Sequence, residues 1–493
     1  MKIKYIMQKS VVLASVIAGA AIVTGCDSDG SASLPLTNET AAVRVIHASP
    51  DAPPVNVSVG NATPVTSLDY AQSSGFASVA AGSGDITVEA IIPAGNADVI
   101  TVPDFNLMTD GRYTVIAVNE TATIEAYVAD ESAASPAAGE VAISVVHASP
   151  AAGPVDVYVT APGTDVSDIS LQPNFTFDYK DPAVDAGALP AGKYDITVMA
   201  AGTKDVAYNI SGVDLAPFAG NKLLLVAVST TTDTSINASP IKLLVATDDA
   251  HVVLLDEDTE VGARVVHASP DADAAAKGPV EVFTDVNSPL GQAELIPAFT
   301  YTDIVPGFDA YVGIPAGDYV FDVSVNGAGP GTLYTSPASP TLTLSAGSEY
   351  TVIAAGLVGA DPAFGLLATE DNNRSIITQA SVKVVHAAPG AGTVNVYVTP
   401  AGQFTKEDVE NGLAGKPLLE NFEFGAITDY VAVPPDNYDI RVVPLSLGVA
   451  AINVEGAALP AGVVATVIAR QPNDAGALPD VLPEDFGIIV LTN

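Results

Sequence analysis

Four antiparallel β-sandwich modules in tandem, each of about 90–120 residues, form the architecture that the sequence predicts, and three observations predict it. First, one stretch occurs four times. "VRVIHASPDAPPVNVSVG" (43–60) returns as "ISVVHASPAAGPVDVYVT" (143–160), "ARVVHASPDADAAAKGPVEVFTD" (263–285) and "VKVVHAAPGAGTVNVYVT" (382–399). His47, His147, His267 and His386 therefore hold one equivalent position, at a spacing that suits domains and is too long for solenoid repeats. Second, the local period is two: in "VDVYV", Val155, Val157 and Val159 point one way and Asp156 and Tyr158 the other. Third, no apolar pattern at helical spacing is sustained beyond the N-terminal leader. Short runs rich in Val, Ile, Thr and Tyr, bounded by Gly, Pro, Asn or Asp, number seven or eight per copy and read as strands.

The leader comes first in the chain. Lys2, Lys4 and Lys9 precede a 13-residue apolar run, "VVLASVIAGAAIV" (11–23), which is too short for a membrane span and suits a signal-peptide core. It ends in "VTGC" (23–26), which resembles the bacterial lipobox. The resemblance implies cleavage after residue 25 and lipidation of Cys26, with membrane lipid as the partner. Cys26 is the only Cys in the 493 residues, so it has no disulfide partner within the chain. Two or more acyl chains anchor stably. Residues 26–40 read as a tether. Asp27 resembles an inner-membrane retention signal of enterobacterial lipoproteins, a rule that differs between lineages. The expected address is the extracytoplasmic cell envelope, with the outer membrane favoured and the leaflet open.

The modules follow at 41–130, 140–250, 260–371 and 380–493. After the His stretch each carries an aromatic segment, such as "FTYTDIVPGFDAYVGIPAG" (299–317). A turn into a strand follows, such as "LPAGKYDITVMA" (189–200), then a stretch such as "LSAGSEYTVIAAG" (344–356), and last an apolar strand. Tyr350, and Tyr113 with a turn shorter by one, resemble the tyrosine corner of immunoglobulin-like sandwiches, while Leu223 and Ala465 stand there in the other two copies. A sandwich of this size buries enough surface to fold without disulfides. Separate folding units laid end to end in an elongated array are the expected arrangement. With the His-Ala-Ser-Pro, PAG-x-Y and AG-x-x-YTV landmarks together, the chain resembles a tandem array of the bacterial "domain of unknown function 4397" (DUF4397). That resemblance implies a secreted or lipid-anchored β-domain and supplies no mechanism.

Charge excludes one class of partner. Fifty-seven acids against 18 Lys plus Arg give a net charge of −39, which phosphate backbones repel, so no nucleic acid is expected. Acids gather at the junctions, and Asp248, Asp249, Asp256, Asp258, Glu370 and Asp371 are the calcium candidates. Solvated loop tips are the commoner outcome for such clusters. No other cofactor is expected.

The His stretch resembles a nucleophile–base pair in composition only. The fourth copy reads "HAAP", with Ala388 in place of Ser, and no G-x-S-x-G elbow occurs. The favoured reading is architectural, with His bonding loop backbone, and catalytic residues are expected to be none. The function expected is that of a lipid-anchored envelope protein with a structural, adhesive or ligand-binding role toward a protein or glycan. Two alternatives stand beside it. One is a carbohydrate- or polymer-active enzyme with loop-borne carboxylates, for which "QFTKEDVENGLAGKPLLENFEF" (403–424) is the most divergent loop. The other is a calcium-stiffened adhesin stalk.

Overall fold

The computed structural model describes residues 39–492, apart from 169, 182–183, 233–235, 237–238, 332, 334–339 and 473–485. The leader, Cys26 and the tether up to residue 38 lie outside the described residues. No helix among the described residues is long and apolar enough to cross a membrane.

The first module sets the pattern. Its eight strands are Thr40–His47, Val55–Val59, Ala62–Leu68, Ala77–Ala80, Gly82–Ala90, Ala97–Leu107, Arg112–Val118 and Glu125–Asp130. The fourth, first, seventh and eighth form one sheet in that order, and the third, second, fifth and sixth form the other. The sheet with the His strand is called here the histidine sheet and its mate the outer sheet. The same order recurs around Glu140–His147, Val261–His267 and Ala380–His386, with an added edge strand, His251–Leu254, in the second histidine sheet, and with the fourth and fifth strands of the third copy broken into shorter pieces, one of which pairs with the sixth strand in a sheet of two. The strand pairings are antiparallel except for one per copy. The first strand runs parallel to the seventh, with His47 opposite Ala117, His147 opposite Ala227, His267 opposite Ala354 and His386 opposite Ala469.

Burial explains which residues take which face. In the second strand Val55, Val57 and Val59 are buried while Asn56 and Ser58 are half-exposed, as expected of a sheet with one wet face. The seventh strand differs. In Lys222–Ser229 every residue after Lys222 is buried, so both faces of the histidine sheet are covered. Leu223, Leu225 and Ala227 point into the module's own core. Leu224, Val226 and Val228 point out, into a cluster with Val146, Ala148, Leu244 and Ala246 of their own module and Ile46, Ala48, Tyr70, Ile116 and Val118 of the first.

The end-to-end array is thereby corrected. The histidine sheets of modules 1 and 2 pack face to face across a buried apolar layer. Modules 3 and 4 do the same through Val266, Ala268, Ile353, Ala355, Val385, Ala387, Ile468, Ile489 and Leu491. Residues 39–493 form one compact unit. The physical reason is that a sheet apolar on both faces must be covered on both.

Two insertions are local. The five extra residues of the third copy form the short helix Ala272–Ala276. In the divergent 403–424 loop, Thr405 and Asp408 close a capping box on the helix Lys406–Glu410, and Val409 packs on Val443 and Ala450. This gives the loop a packing role against the central strands of the outer sheet.

Candidate functional site

The four histidines lie at the ends of their strands, each no more than 1% exposed. In three of them the hydrogen bonds assign the tautomer. His47 Nδ1 accepts the Ser49 amide hydrogen (3.3 Å) and Nε2 lies 3.0 Å from the Pro53 carbonyl, to which it must donate. His147 repeats this with Ser149 (3.4 Å) and Gly153 (2.7 Å), and His386 with Ala388 (3.3 Å) and Gly392 (2.7 Å). Each ring closes the loop that follows its own strand. In the third copy the inserted helix removes that carbonyl. Asp273 Oδ1 stands 3.1 Å from His267 Nε2 instead, off the line of a good hydrogen bond.

Burial keeps these rings neutral. Desolvation pulls His47 down to about 4, against the smaller opposing effect of its bond to Pro53. It also lowers His147, His267 and His386, each against an opposing partner at Nε2. Two of the three motif serines are committed elsewhere: Ser149 Oγ bonds Ser229 Oγ (2.8 Å) and Ser269 Oγ donates to the Gly356 carbonyl (2.8 Å), while Ser49 Oγ is buried and makes no hydrogen bond to its His. A base that already donates from Nε2 cannot take a serine proton there.

Each His ring packs against an aromatic residue of the next segment: Tyr70, Tyr179 and Tyr301 edge-on, with centroids 6.0–6.1 Å away, and Phe424 at 6.2 Å. The tyrosines reach across the pair. Tyr70 donates to the Ser229 carbonyl of module 2 (2.5 Å), and Tyr179 bonds Asn119 of module 1 in return. Tyr301 donates to the Gln471 carbonyl of module 4. Asn119, Ser229 and Gln471 are equivalent positions just past His-paired Ala117, Ala227 and Ala469. The His ring thus packs on the segment that carries the latch, and the His backbone is hydrogen-bonded to that segment: the His47, His147 and His267 carbonyls accept from Ala71, Lys180 and Thr302. The signal for this in sequence is the aromatic residue 23, 32, 34 or 38 positions after the His, a spacing too variable to notice without the fold.

A buried charge network accompanies each pair. Arg44 donates from Nη2 to both carboxylate oxygens of Glu131 (2.7 and 2.8 Å), from Nε to Thr114 (2.8 Å) and from Nη1 to the Thr247 carbonyl of module 2 (2.7 Å). Arg264 is its counterpart, bonding Thr351 (3.1 Å), Tyr311 (2.7 Å) and Asp371 (3.5 Å). Lys383 of module 4 stands 3.4 Å from the other oxygen of Asp371.

The remaining sequence-predicted residues fall apart from one another. Asp371 is fully buried among these cations and hydroxyls, where a calcium ion has no free oxygen to use. Asp248 is exposed and pairs with Arg112 (2.5 Å). The backbone of Asp249, an exposed residue, packs beside Gly75. Asp256 is buried and spends its oxygens on the amides of Asn209 (2.7 Å) and Asp258 (3.0 Å), while Asp258 itself is exposed. Glu370 accepts from Ser348 (2.8 Å). Among the described residues no three His, Cys, Asp or Glu side chains gather into a group that could hold a metal.

Tyr113 and Tyr350 take backbone amides upstream, from Met108 (3.2 Å) and Ser345 (3.5 Å). A second tyrosine tie escaped the sequence reading. Tyr194 and Tyr319 in the PAG-x-Y turns, and Tyr438 in the corresponding "PPDNY", donate to the carbonyls of Pro190, Pro315 and Pro434 four residues back (2.9, 2.7 and 2.7 Å). It pins the corner where the chain crosses between sheets.

A cleft of about 520 Å³ opens where the end of module 3, the 372–374 linker and the Thr428–Tyr430 loop of module 4 meet Thr231 and Thr232 of module 2.

The family model described as "Domain of unknown function (DUF4397)" matches residues 41–158 and 261–397, together just over half of the chain. Each match runs from the His strand of one module through the second strand of its packed partner. No curated protein matches the chain. Among solved structures, the Bacillus anthracis TIE protein is 13% identical, with 79% of this chain and 60% of that chain covered, at a TM-score of 0.15. The pneumococcal glycogen-degrading virulence factor SpuA is 9% identical over 60% of this chain and 37% of its own, at 0.14. A Bacteroides uniformis protein provisionally assigned to cell adhesion is 15% identical over 48% of this chain and 99% of its own, at 0.17. The present chain spans well under two thirds of SpuA and 60% of the TIE protein.

Proposed function

The chain belongs to the DUF4397 family, and from that premise we propose that it is a lipid-anchored cell-envelope protein whose sandwich modules form a rigid, non-catalytic scaffold with a structural or adhesive role. The observation that carries this reading is the commitment of the repeated histidines. His47, His147 and His386 spend both ring nitrogens on the backbone of their own loops, and burial holds them neutral. The motif that recurs in every module is thus used for loop closure and module pairing. The envelope address rests on "VTGC" behind the apolar run of the leader.

Fractionation with an alkynyl fatty-acid label tests the anchor. The wild-type chain should take up label and partition into detergent, and Cys26→Ser should do neither. Unchanged labelling and partitioning of that variant would remove the anchor from the reading.

A further inference from the structure

We propose that the outer edge of the eighth strand of module 4, Gly487–Thr492, pairs antiparallel with the same strand of a second copy of this chain. The four modules supply the comparison, since each carries an eighth strand on the same side of its histidine sheet. In module 2 that strand, Ile241–Ala246, is covered by the added strand His251–Leu254. In module 1 it is Glu125–Asp130, with an exposed acid at each end. In module 3 it is Gly365–Asp371, where Glu370 is exposed and its carbonyl accepts from Lys383 of module 4. Cover and charge are what keep a sheet edge from taking up another strand. The edge in module 4 has neither: "GIIVLT" carries no charge and no Pro, and its pairing with the seventh strand runs without a bulge.

The Thr492 amide donates to the Phe308 carbonyl of module 3 (3.1 Å), so it points away from the seventh strand. Backbone groups alternate in direction along an antiparallel ladder, and the N–H and C=O of Ile488 and Val490 therefore point outward as well. Among the described residues nothing bonds them. Val490 is 42% exposed, and Phe308, at the end of the same edge, 54%.

This edge fits a copy of itself. A two-fold axis through Ile489 sets Ile488 opposite Val490 of the second copy, and the reverse, so that each of these outward groups finds a mate. A strand bearing an acid would have to desolvate it against Val490, whereas the second copy brings an uncharged one. Net charge sets the condition. Each chain carries −39, so two copies repel at long range and meet most readily where salt screens them.

The test uses the full chain in detergent with Cys26→Ser, which removes the only native thiol. Sedimentation over a dilution series should show a monomer–dimer equilibrium. The dimer should tighten as ionic strength rises from about 0.01 to about 0.15 M, where the screening length falls from roughly 30 to roughly 8 Å. Val490→Lys, at an exposed position, should weaken dimerisation by roughly tenfold or more by placing an ammonium on the edge, with the melting temperature unchanged. Val490→Cys should cross-link to a dimer through a short bis-maleimide, since the two substituted side chains would be diagonal neighbours roughly 7–8 Å apart. Leu413→Cys, at a more exposed position of the same module, should not. A monomer at every concentration and salt, a dimer indifferent to Val490→Lys, or cross-linking through Leu413→Cys alone would overturn the proposal. So would pairing of this edge with a foreign strand while the chain itself stays monomeric. Lipidation of Cys26 plays no part in these measurements, so their outcome is independent of the anchor.

Discussion

An imidazole with both nitrogens bonded to backbone can be charged only by giving up one of those bonds. His47 in the folded protein takes its proton near pH 4, and in the unfolded chain near its ordinary 6.5. Between those values the unfolded state binds more protons, so stability rises with pH. The contribution is whole above about pH 6.5, shrinks as the pH falls through that window and is gone below about 4. A shift of this size is worth roughly 3 kcal/mol. His147, His267 and His386 are lowered in the same direction. Urea unfolding at pH 7 and at pH 5 should therefore show a lower midpoint at pH 5, and His47→Gln should flatten the difference. A midpoint that rises on acidification would contradict the assignment. His147→Ala should cost about 1–3 kcal/mol, the price of leaving the Gly153 carbonyl and the Ser149 amide unpaired. The loss should register as faster hydrogen exchange in modules 1 and 2 while modules 3 and 4 keep theirs. The architectural role of the His was legible in the sequence from one residue, Ala388, which removes the would-be nucleophile. The acceptors at Pro53 and Gly153 were not, because a carbonyl leaves no side-chain signature.

Among the strands, the second and seventh show what alternation does and does not reveal. "VNVSV" alternates, and its burial alternates with it. "KLLLVAVS" does not alternate, and the run reports a sheet covered on both faces. That signal was present in all four copies, as "YTVIAV", "LLLVAV", "YTVIAA" and "VATVIA". Periodicity identifies such a strand as buried without naming what covers its second face, so the pairing of modules stayed hidden. Its latches can be cut one at a time. Tyr70→Phe removes the donor to the Ser229 carbonyl and should cost on the order of 1–3 kcal/mol. Exchange protection should fall along Lys222–Ser229 and hold along Glu349–Ala355. Equal loss in both strands would mean that the tyrosine acts on the molecule as a whole. The charge network makes the opposite kind of prediction. Arg264→Met alone strands Asp371 in the 3–4 interface with Lys383 as its remaining cation and should cost about 3–5 kcal/mol. Arg264→Met with Asp371→Leu should be milder than the single change, since replacing a buried pair by apolar groups is often neutral. A double variant less stable than the single one would show the pair to be stabilising in itself.

At the scale of the molecule, the pairs are the units that own closed cores, and the two pairs are also joined. Arg374 leaves the linker between modules 3 and 4 and donates to the Ala52 carbonyl of module 1 (2.6 Å). It also pairs with Asp69 of module 1. Three residues on, the Ile377 amide donates to the Asp51 carbonyl (3.2 Å). A single module cut from the chain keeps its own inner core and loses the cover on its histidine sheet. For residues 140–250 that would bare Val146, Leu224, Val226, Val228 and Leu244, all no more than 1% exposed in the intact protein. An apolar patch of that kind drives association in a free domain. The fragment 140–250 should therefore self-associate in analytical ultracentrifugation, whereas 39–258, which keeps modules 1 and 2 together, should sediment as a folded monomer. In the full chain, Arg374→Ala removes the side-chain tie between pairs, leaving only the Ile377 amide bond to Asp51 of the two ties just named, and leaves both pair interfaces intact. Calorimetry should then resolve two unfolding transitions in the variant, each spanning one pair. Four transitions, or a monomeric and cooperatively folded 140–250, would return the single module to its place as the folding unit and leave the buried faces of Leu224 and Val226 without their explanation.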